Sequence, residues 1–247
     1  MSSLLPFNEL KLPSVAFFGR MFEEYLKFFS LDLPSLRGRR ILDVAAGPAS
    51  FAAEARDHGI DAVAVDPMYG LPLDTLSAHV LIDYRRMIAE MRGNESLLRY
   101  RYFPSFEAAE QSRRSAAARF LADYETGFLQ GRYVGASLPR LPFGDATFNT
   151  VLCAHLLFLY SGTLDYAWHL EACRELVRVS IGEVRIHPVC GLGGRPYADL
   201  PRLQRDLAAE GIASEVRTVD YEFFAGSNSM LVLGKHPKSV ASGLSHP

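Results

Sequence analysis

Long apolar runs are absent from this chain, and no stretch of about 18 uncharged apolar residues is present to span a bilayer. The sequence therefore excludes an integral membrane protein. The N-terminus alternates apolar residues with charged ones such as Lys11, Arg20 and Glu23, so it lacks the uninterrupted apolar core of a signal peptide. A cytoplasmic location is the resulting expectation.

Cysteine is scarce as well. The three residues Cys153, Cys173 and Cys190 are an odd number at wide spacing, which is typical of reduced thiols and gives no zinc-binding pattern. Asp165 and His169 would share one face of a helix, but a third metal ligand is not indicated. The sequence predicts neither a disulfide nor a metal site.

A cluster of basic side chains is also missing. The 26 Lys and Arg residues nearly balance the 28 Asp and Glu residues, which leaves a formal net charge of -2. The densest basic stretch, residues 71–131, interleaves its arginines with as many acidic residues, a pattern typical of solvated helix faces. Nucleic-acid binding requires several phosphates to be neutralised together, so no nucleic-acid partner is expected.

The composition that is present is that of a globular protein. Of the 247 residues, 49% are hydrophobic and 22% are charged. This length is sufficient for one α/β domain with an insertion. We expect a single domain over residues 1–247, with a polar tail at residues 238–247 that frays.

Strand and helix patterns alternate along the chain. Residues 40–44 and 61–65 are buried strand candidates, and a small-residue turn and a helix that ends at Gly59 separate them. Further elements are a strand at 148–154, a helix at 164–178, a strand at 182–186, a helix at 201–210 and a hairpin formed by 217–223 and 230–233. This order predicts an open, mostly parallel sheet with helices on both faces and an antiparallel last strand.

Two helical segments are added to this pattern. Aromatic residues at three-and-four spacing predict an amphipathic capping helix over residues 15–30. Residues 71–131 predict a helical insertion, with a break near residues 102–105, that is too long for a simple crossover. Both additions adjoin the ligand-binding edge of the sheet, so we expect a lid over the site. The alternative is that the insertion only thickens one face of the sheet.

The turn after the first strand has the pattern of a nucleotide-type site. Residues 45–50 are small, which lets a ligand approach the main chain closely. Asp66 ends the second strand, where a carboxylate can accept hydrogen bonds from a ribose diol. A dinucleotide requires more glycines than this turn has, and Pro48 removes an N–H group from the phosphate-facing helix start. S-adenosylmethionine carries no phosphate, and its ammonium group can lie beside Asp43, so the sequence favours this ligand.

The chain resembles the class I S-adenosylmethionine-dependent methyltransferases. The first motif of that family, acidic-x-Gly-x-Gly-x-Gly, is matched by Asp43-x-Ala45-x-Gly47-x-Ala49 with two glycines replaced. Residues 141–149, LPFGDATFN, are similar to the stretch that precedes the family's fourth strand. The resemblance covers most of the chain outside the insertion. It implies a Rossmann-like sheet of seven mostly parallel strands, with a C-terminal antiparallel β-hairpin and helices on both faces.

The resemblance also implies a set of cofactor contacts. Ser137 stands where many members have an aspartate near the adenine amino group. Apart from the resemblance, the capping helix would bring Arg20 over the same opening, where its guanidinium would pair with the methionine carboxylate. The expected cofactor-binding residues are Arg20, Asp43, Ala45, Ala46, Gly47, Pro48, Asp66, Pro67, Met68, Ser137, Leu138 and His155. His155, at the end of the fourth strand, is the candidate catalytic base, and the alternative is a histidine that only packs in the pocket wall.

The predicted activity is methyl transfer from S-adenosylmethionine to a small-molecule acceptor. In-line displacement at a sulfonium methyl group requires positioning and exclusion of water but no covalent nucleophile, so the catalytic residues do not identify the acceptor. Two alternatives stay open. One is an NAD(P)-dependent oxidoreductase that uses the same turn and acidic residue. The other is a non-catalytic protein that keeps the fold and binds the same ligand or a partner.

Overall fold

The computed structural model describes residues 14–235, and the expected tail at residues 238–247 lies outside this range. One sheet contains seven strands in the order β3-β2-β1-β4-β5-β7-β6. The strands are β1 (Arg40–Val44), β2 (Asp61–Asp66), β3 (Tyr133–Gly135), β4 (Phe148–Ala154), β5 (Ser180–His187), β6 (Ile212–Thr218) and β7 (Ser229–Lys235). Neighbouring strands from β3 to β5 pair in parallel, whereas β7 is antiparallel to both β5 and β6.

Seven α-helices flank this sheet within residues 14–235. They are α1 (Phe22–Phe28), α2 (Leu33–Leu36), α3 (Phe51–Ala55), α4 (Leu73–Gly93), α5 (Phe106–Leu129), α6 (Tyr166–Val179) and α7 (Leu200–Ala209). The predicted fold class is confirmed, including the mostly parallel sheet, the antiparallel C-terminal hairpin, the helices on both faces and the helical insertion.

The sheet separates two apolar layers, because successive side chains of a strand point to opposite faces. On β1, Ile41 packs with α1, α3 and α5 on one face, while Leu42 and Val44 pack with α6 and α7 on the other. Both faces of the central strands are buried, as expected for a parallel sheet covered by helices.

The helix expected over residues 15–30 is wrong in its first half, because α1 begins only at Phe22 and residues 14–21 are not helical. Tertiary contacts override the helical periodicity there. A Cβ atom on Gly19 would lie 2.0 Å from the carbonyl oxygen of Pro48, so the N-terminal segment crosses directly over the turn that follows β1. Ser50 fixes this crossing, since its N–H group donates to the Arg20 carbonyl and its hydroxyl accepts from the Phe22 N–H group.

The insertion consists of the two long helices α4 and α5, with a break between residues 93 and 106 that agrees with the predicted one. Helix α5 packs against α3 and β3 and covers one face of the sheet, and α4 packs outside it against α5. The two helices therefore have different positions. Helix α5 belongs to the layered core, and α4 extends along the carboxyl edge of the strands.

The hairpin differs from the prediction in the bounds of its first strand. The predicted run 217–223 shares only its first two residues with the end of β6, and residues 219–228 form a loop. Tyr221, Phe223 and Phe224 in this loop are buried against the insertion, with the Arg99 N–H group donating to the Phe223 carbonyl. The apolar alternation that predicted a strand comes from these loop contacts.

A buried ion pair joins α1 to the insertion. The guanidinium of Arg113 donates to both carboxylate oxygens of Glu24, and the Tyr221 hydroxyl donates to Glu24 Oε2 at 2.6 Å. Both charged side chains are 1% exposed. The pKa of Glu24 is lowered although burial opposes the charged form, because Arg113 and Arg20 stabilise the carboxylate.

Replacing Glu24 with glutamine should destabilise the fold strongly. The variant leaves Arg113 and Arg20 buried without a carboxylate, and breaking a buried pair in this way costs about 3 to 5 kcal/mol. Urea unfolding measures the change. The matched control is Arg174→Gln, which breaks the partly exposed pair with Glu210 and should cost about 1 kcal/mol or less. A similar small loss in both variants would contradict the assigned role of Glu24.

Candidate functional site

The main cavity lies at the carboxyl edge of the strands, and its volume is about 490 Å³. This size falls within the range of small-molecule and cofactor sites. Its walls come from the N-terminal segment, the turn after β1, the end of β2, helix α4, the loop after β3 and the segments after β4. The lining residues are Ser14, Val15, Ala16, Phe17, Phe18, Val44, Ala45, Gly47, Asp66, Pro67, Met68, His79, Asp83, Ala136, Ser137, Leu138, Ala154, His155, Leu156, Leu164 and Trp168.

The turn after β1 forms the floor of this cavity. Gly47 has a positive φ of 55°, and Ala45 has a φ of 57°, a conformation that alanine adopts at a cost and glycine adopts freely. The Ala45 substitution therefore keeps the backbone shape that the family motif implies. Two N–H groups of this turn are bound within the chain. Ala46 donates to the Val65 carbonyl and Gly47 donates to Asp66.

Asp66 lines the cavity at the end of β2, where the sequence predicts it. Its Oδ2 atom accepts the Gly47 N–H group at 3.0 Å, and its Oδ1 atom accepts the Met68 N–H group at 3.0 Å. Burial raises the pKa of this carboxyl to about 6, although the two backbone donors oppose the shift. Each carboxylate oxygen has a second lone-pair direction, so Asp66 can accept further hydrogen bonds from a ligand.

Asp43 is placed differently from the expectation. It is 1% exposed in the middle of the sheet, and it is not among the residues that line the cavity. Neither of its carboxylate oxygens has a hydrogen-bond partner of good geometry. Burial raises the pKa of Asp43 to about 8, the Tyr25 hydroxyl beside it lowers that pKa in part, and the charge of Asp66 raises it.

His155 lies where β4 ends, between the main cavity and a smaller one. The main-chain N–H group of His155 donates to the His187 carbonyl, and the φ angle of His155 is 57°. Its ring nitrogen Nδ1 is buried without a hydrogen-bond partner. The pKa of His155 is well below the usual value because burial disfavours the cation, and Arg20, His187 and Arg113 add to the effect. The imidazole is therefore neutral near pH 7.

The N-terminal segment forms the roof of the cavity. Phe17 and Phe18 lie over the turn, with the Phe18 N atom 3.5 Å from the position of a Cβ on Gly47. The Phe17 N–H group donates to Asp83 Oδ2 at 2.6 Å, and the Ala16 N–H group donates to the Tyr160 hydroxyl at 3.0 Å. These hydrogen bonds attach the roof both to α4 and to the segment after β4.

Of the predicted site residues, eight line the main cavity: Ala45, Gly47, Asp66, Pro67, Met68, Ser137, Leu138 and His155. Ala46 and Pro48 belong to the turn beneath it. Arg20 lines the smaller cavity, which is beyond His155. The placement of these groups beside a bound ligand stays a prediction.

The sequence reasoning missed the polar groups of α4. His79 and Asp83 line the cavity, four residues apart on one helical face. Their spacing is visible in the sequence, but nothing in it tells which face of the insertion turns toward the site. Trp168, near the start of α6, was missed in the same way.

Residues 14–235 include no helix that has both the length and the apolar character that crossing a membrane requires. Within the same residues, no group of three or more His, Cys, Asp or Glu side chains is arranged to hold a metal ion. Cys153, Cys173 and Cys190 are buried and unpaired.

The strand order, with β7 antiparallel between β5 and β6, is that of the class I S-adenosylmethionine-dependent methyltransferase fold. No family model matches the sequence. Among curated proteins, the uncharacterized protein MJ0045 of Methanocaldococcus jannaschii is 30% identical over 225 residues, which cover 91% of this chain and 98% of that protein. The chain belongs to the same family as this archaeal protein.

Solved structures with a similar fold include two methyltransferases. Magnesium protoporphyrin IX methyltransferase from Synechocystis PCC 6803, crystallised with bound SAM, is 13% identical, with 83% of this chain and 74% of that chain covered and a TM-score of 0.46. A TehB-like SAM-dependent methyltransferase from Corynebacterium glutamicum is 16% identical, with 81% and 82% covered and a TM-score of 0.45.

Asp43→Asn should stabilise the fold at neutral pH. The pKa of about 8 in the folded chain exceeds the ordinary value of 3.8, so the folded state binds more protons between these values and loses stability as the pH rises through that window. An uncharged isostere avoids this cost, which is on the order of 4 kcal/mol at pH 7. Urea unfolding of both proteins from pH 4 to 8 should show that the free energy of unfolding of the parent chain falls relative to that of the variant as the pH rises. Parallel curves would contradict the assignment.

Proposed function

We propose that this chain is an S-adenosylmethionine-dependent methyltransferase that acts on a small molecule. The observation that carries the proposal is the cavity of about 490 Å³ over a turn in which the N–H groups of Ala46, Gly47 and Ser50 are already bound, with a carboxylate at the end of the next strand. A turn of this kind suits a ligand that presents adenosine and an amino acid but no phosphate.

The competing ligand, a dinucleotide, meets two obstacles at this turn. Phosphate binding at a helix start depends on free N–H groups that point at the ligand. Here Pro48 has none, the Gly47 N–H group is bound to Asp66, and the Ser50 N–H group is bound to the Arg20 carbonyl. In addition, the turn has fewer glycines than the dinucleotide motif requires for close approach of a pyrophosphate.

The described residues fit the parts of S-adenosylmethionine. The remaining lone pairs of Asp66 would accept hydrogen bonds from the ribose hydroxyls. Ser137 and Leu138, in the loop after β3, line the wall beside the end of β2, where the adenine would lie, and Ala45 and Gly47 leave room for close approach of the amino acid portion. When bound, the cofactor supplies a methyl group activated by the positive sulfonium.

The chain itself would position the acceptor and exclude water. The roof of residues 14–18 covers the cavity, so it would keep water away from the methyl group and the acceptor. His155 is neutral and its Nδ1 atom lacks a partner, so it would orient an acceptor by accepting a hydrogen bond. No covalent intermediate on the protein is required.

The enclosure of the site supports a small acceptor. Helix α4, the roof and the segments after β4 surround the cavity, and the space beside His155 is a second cavity of only about 50 Å³. A macromolecular side chain would have to enter through this enclosure. A small metabolite requires only a transient opening of the roof.

Calorimetry with S-adenosylhomocysteine tests the cofactor directly. We expect one site per chain, and Asp66→Asn should weaken binding by about 1 to 3 kcal/mol because a charged acceptor is lost. The affinity of the parent protein should also fall as the pH drops below about 6, since protonation removes the charge of Asp66. The asparagine variant should lack this pH dependence.

NAD and NADP serve as control ligands in the same experiment. Absence of S-adenosylhomocysteine binding at about 1 mM would refute the proposed cofactor. Binding of NAD alone would instead favour the oxidoreductase. Binding of S-adenosylhomocysteine without turnover on a broad acceptor library would favour the non-catalytic alternative.

Hydrogen exchange tests whether the roof and α4 close over the ligand. Residues 15–25 and the part of α4 near His79 and Asp83 should gain protection when S-adenosylhomocysteine is bound, because the roof is held by few hydrogen bonds and opens locally. Helix α5, which belongs to the layered core, provides the internal control and should change little. Protection confined to residues 43–70 and 137–155 would contradict closure.

A further inference from the structure

A side cavity of about 50 Å³ adjoins the main one and shares Ala16, Phe18 and His155 with it. Its other walls come from α4 and from the loops that follow β4, β5 and β6. They are largely apolar: Met87, Met91, Leu98, Leu159, Tyr160, Leu192, Phe223 and Phe224. The side cavity therefore lies on the β4 side of the turn, away from Asp66 and Ser137.

One charged side chain lines this apolar space. Arg20 is 9% exposed, and its Nη1 atom donates to the carbonyls of Phe18 at 2.8 Å and Gly19 at 3.2 Å. Its Nε atom is buried and has no hydrogen-bond partner. Among residues 14–235, no carboxylate lies within 4.0 Å of its guanidinium. A buried guanidinium with an unused donor is costly unless a further group satisfies it.

The charges around Arg20 do not cancel. Glu24 is the carboxylate of the surrounding cluster, and both of its oxygens accept hydrogen bonds from Arg113. Arg20, Arg113 and Glu24 therefore leave one net positive charge in a buried place. The other titratable groups in the wall, His155 and Tyr160, are neutral, because burial lowers the pKa of the imidazole and raises the pKa of the phenol. One monoanion would compensate this charge.

The volume limits the size of that anion. A water molecule occupies about 10 to 15 Å³, so the side cavity holds roughly three to five atoms of a ligand, which is a carboxylate with the first carbon atoms of its stem, and a further carbon would lie at the junction with the main cavity. Aliphatic and aromatic walls suit a short hydrocarbon stem. A guanidinium binds a carboxylate through paired N–H groups, and the single net positive charge here matches a monoanion better than a phosphate dianion.

We propose that the side cavity binds a carboxylate of the methyl acceptor through Arg20, so that the substrate is a small acid with a short apolar arm. The proposal rests on the proposed function, because it assigns the main cavity to the cofactor. The remainder of the acceptor would extend from the side cavity to the junction at His155.

Binding of sodium butyrate and butyramide, measured by ligand-observed NMR at equal ionic strength, tests the anion site. The two probes share shape and differ in charge. We expect butyrate to bind at least about tenfold more tightly than butyramide, with a dissociation constant on the order of 1 mM. Arg20→Gln should abolish this preference, and Arg20→Lys should keep part of it. Arg174→Gln, at a partly exposed ion pair, is the control and should bind like the parent protein.

Two adenosine ligands show whether Arg20 binds the carboxylate of the acceptor or the carboxylate of the cofactor's methionine portion. 5′-Methylthioadenosine lacks the amino acid portion that S-adenosylhomocysteine carries. If Arg20 binds the acceptor, Arg20→Gln should change the affinity for S-adenosylhomocysteine by no more than about twofold. A loss of about tenfold or more for S-adenosylhomocysteine alone would show that Arg20 holds the methionine carboxylate, and would overturn the proposal.

The butyrate comparison is also made without any adenosine ligand. Equal binding of both probes, or no binding of butyrate, overturns the side-cavity proposal whether or not the cofactor binds. Failure of the parent chain to bind S-adenosylhomocysteine refutes the proposed function separately. Urea unfolding of each variant confirms that it is folded, and Arg20→Gln keeps the Glu24–Arg113 pair intact.

Discussion

The crossing of the N-terminal segment over the turn after β1 determines the rest of the site. At Gly19 the two backbones are so close that a Cβ atom would lie 2.0 Å from the Pro48 oxygen, and only glycine lacks that atom. From this point the chain extends in two directions. Residues 14–18 become the roof of the main cavity, and residues 20–28 lead Arg20 and Glu24 into the interior.

This crossing also explains the charges that are buried behind the turn. Helix α1 has to be anchored against the insertion, and the pair between Glu24 and Arg113 performs this function together with the Tyr221 hydroxyl. Arg20 enters the same region without a carboxylate of its own. A purely structural cluster would be more stable with equal numbers of opposite charges. The excess positive charge is therefore a feature of the site that packing alone does not explain.

Much of the fold could be predicted because it depends on local pattern. Strands β1 and β4 have their predicted bounds, since short apolar runs between turn residues leave few alternatives. Asp66 was predicted as a cavity residue because a carboxylate at the end of the second strand of such a sheet faces the ligand edge. In these cases the sequence position determines the place in space.

The errors have a common physical cause, which is contact between segments distant in sequence. Residues 15–21 have helical periodicity, but contacts with the turn at Pro48 and Ser50 hold them in a non-helical conformation. Tyr221 and Phe223 alternate as in a strand, but the insertion packs them in a loop. Asp43, at the acidic position of the family motif, is buried beside Tyr25 and is not among the residues that line the cavity, so its contact with the cofactor stays a prediction.

The two buried acidic residues of the turn region differ in a way that separates structure from binding. Asp66 faces the cavity, and its backbone hydrogen bonds hold its pKa near 6, so it is charged at neutral pH and can accept from a ligand. Asp43 has no such donors, and its pKa of about 8 keeps it protonated under the same conditions. A neutral Asp43 could not attract the ammonium of a cofactor, but it reduces the repulsion that two adjacent carboxylates would cause. The sheet thus keeps one negative charge at this edge, in the wall of the main cavity, whereas the positive charge of Arg20 lies in the wall of the side cavity.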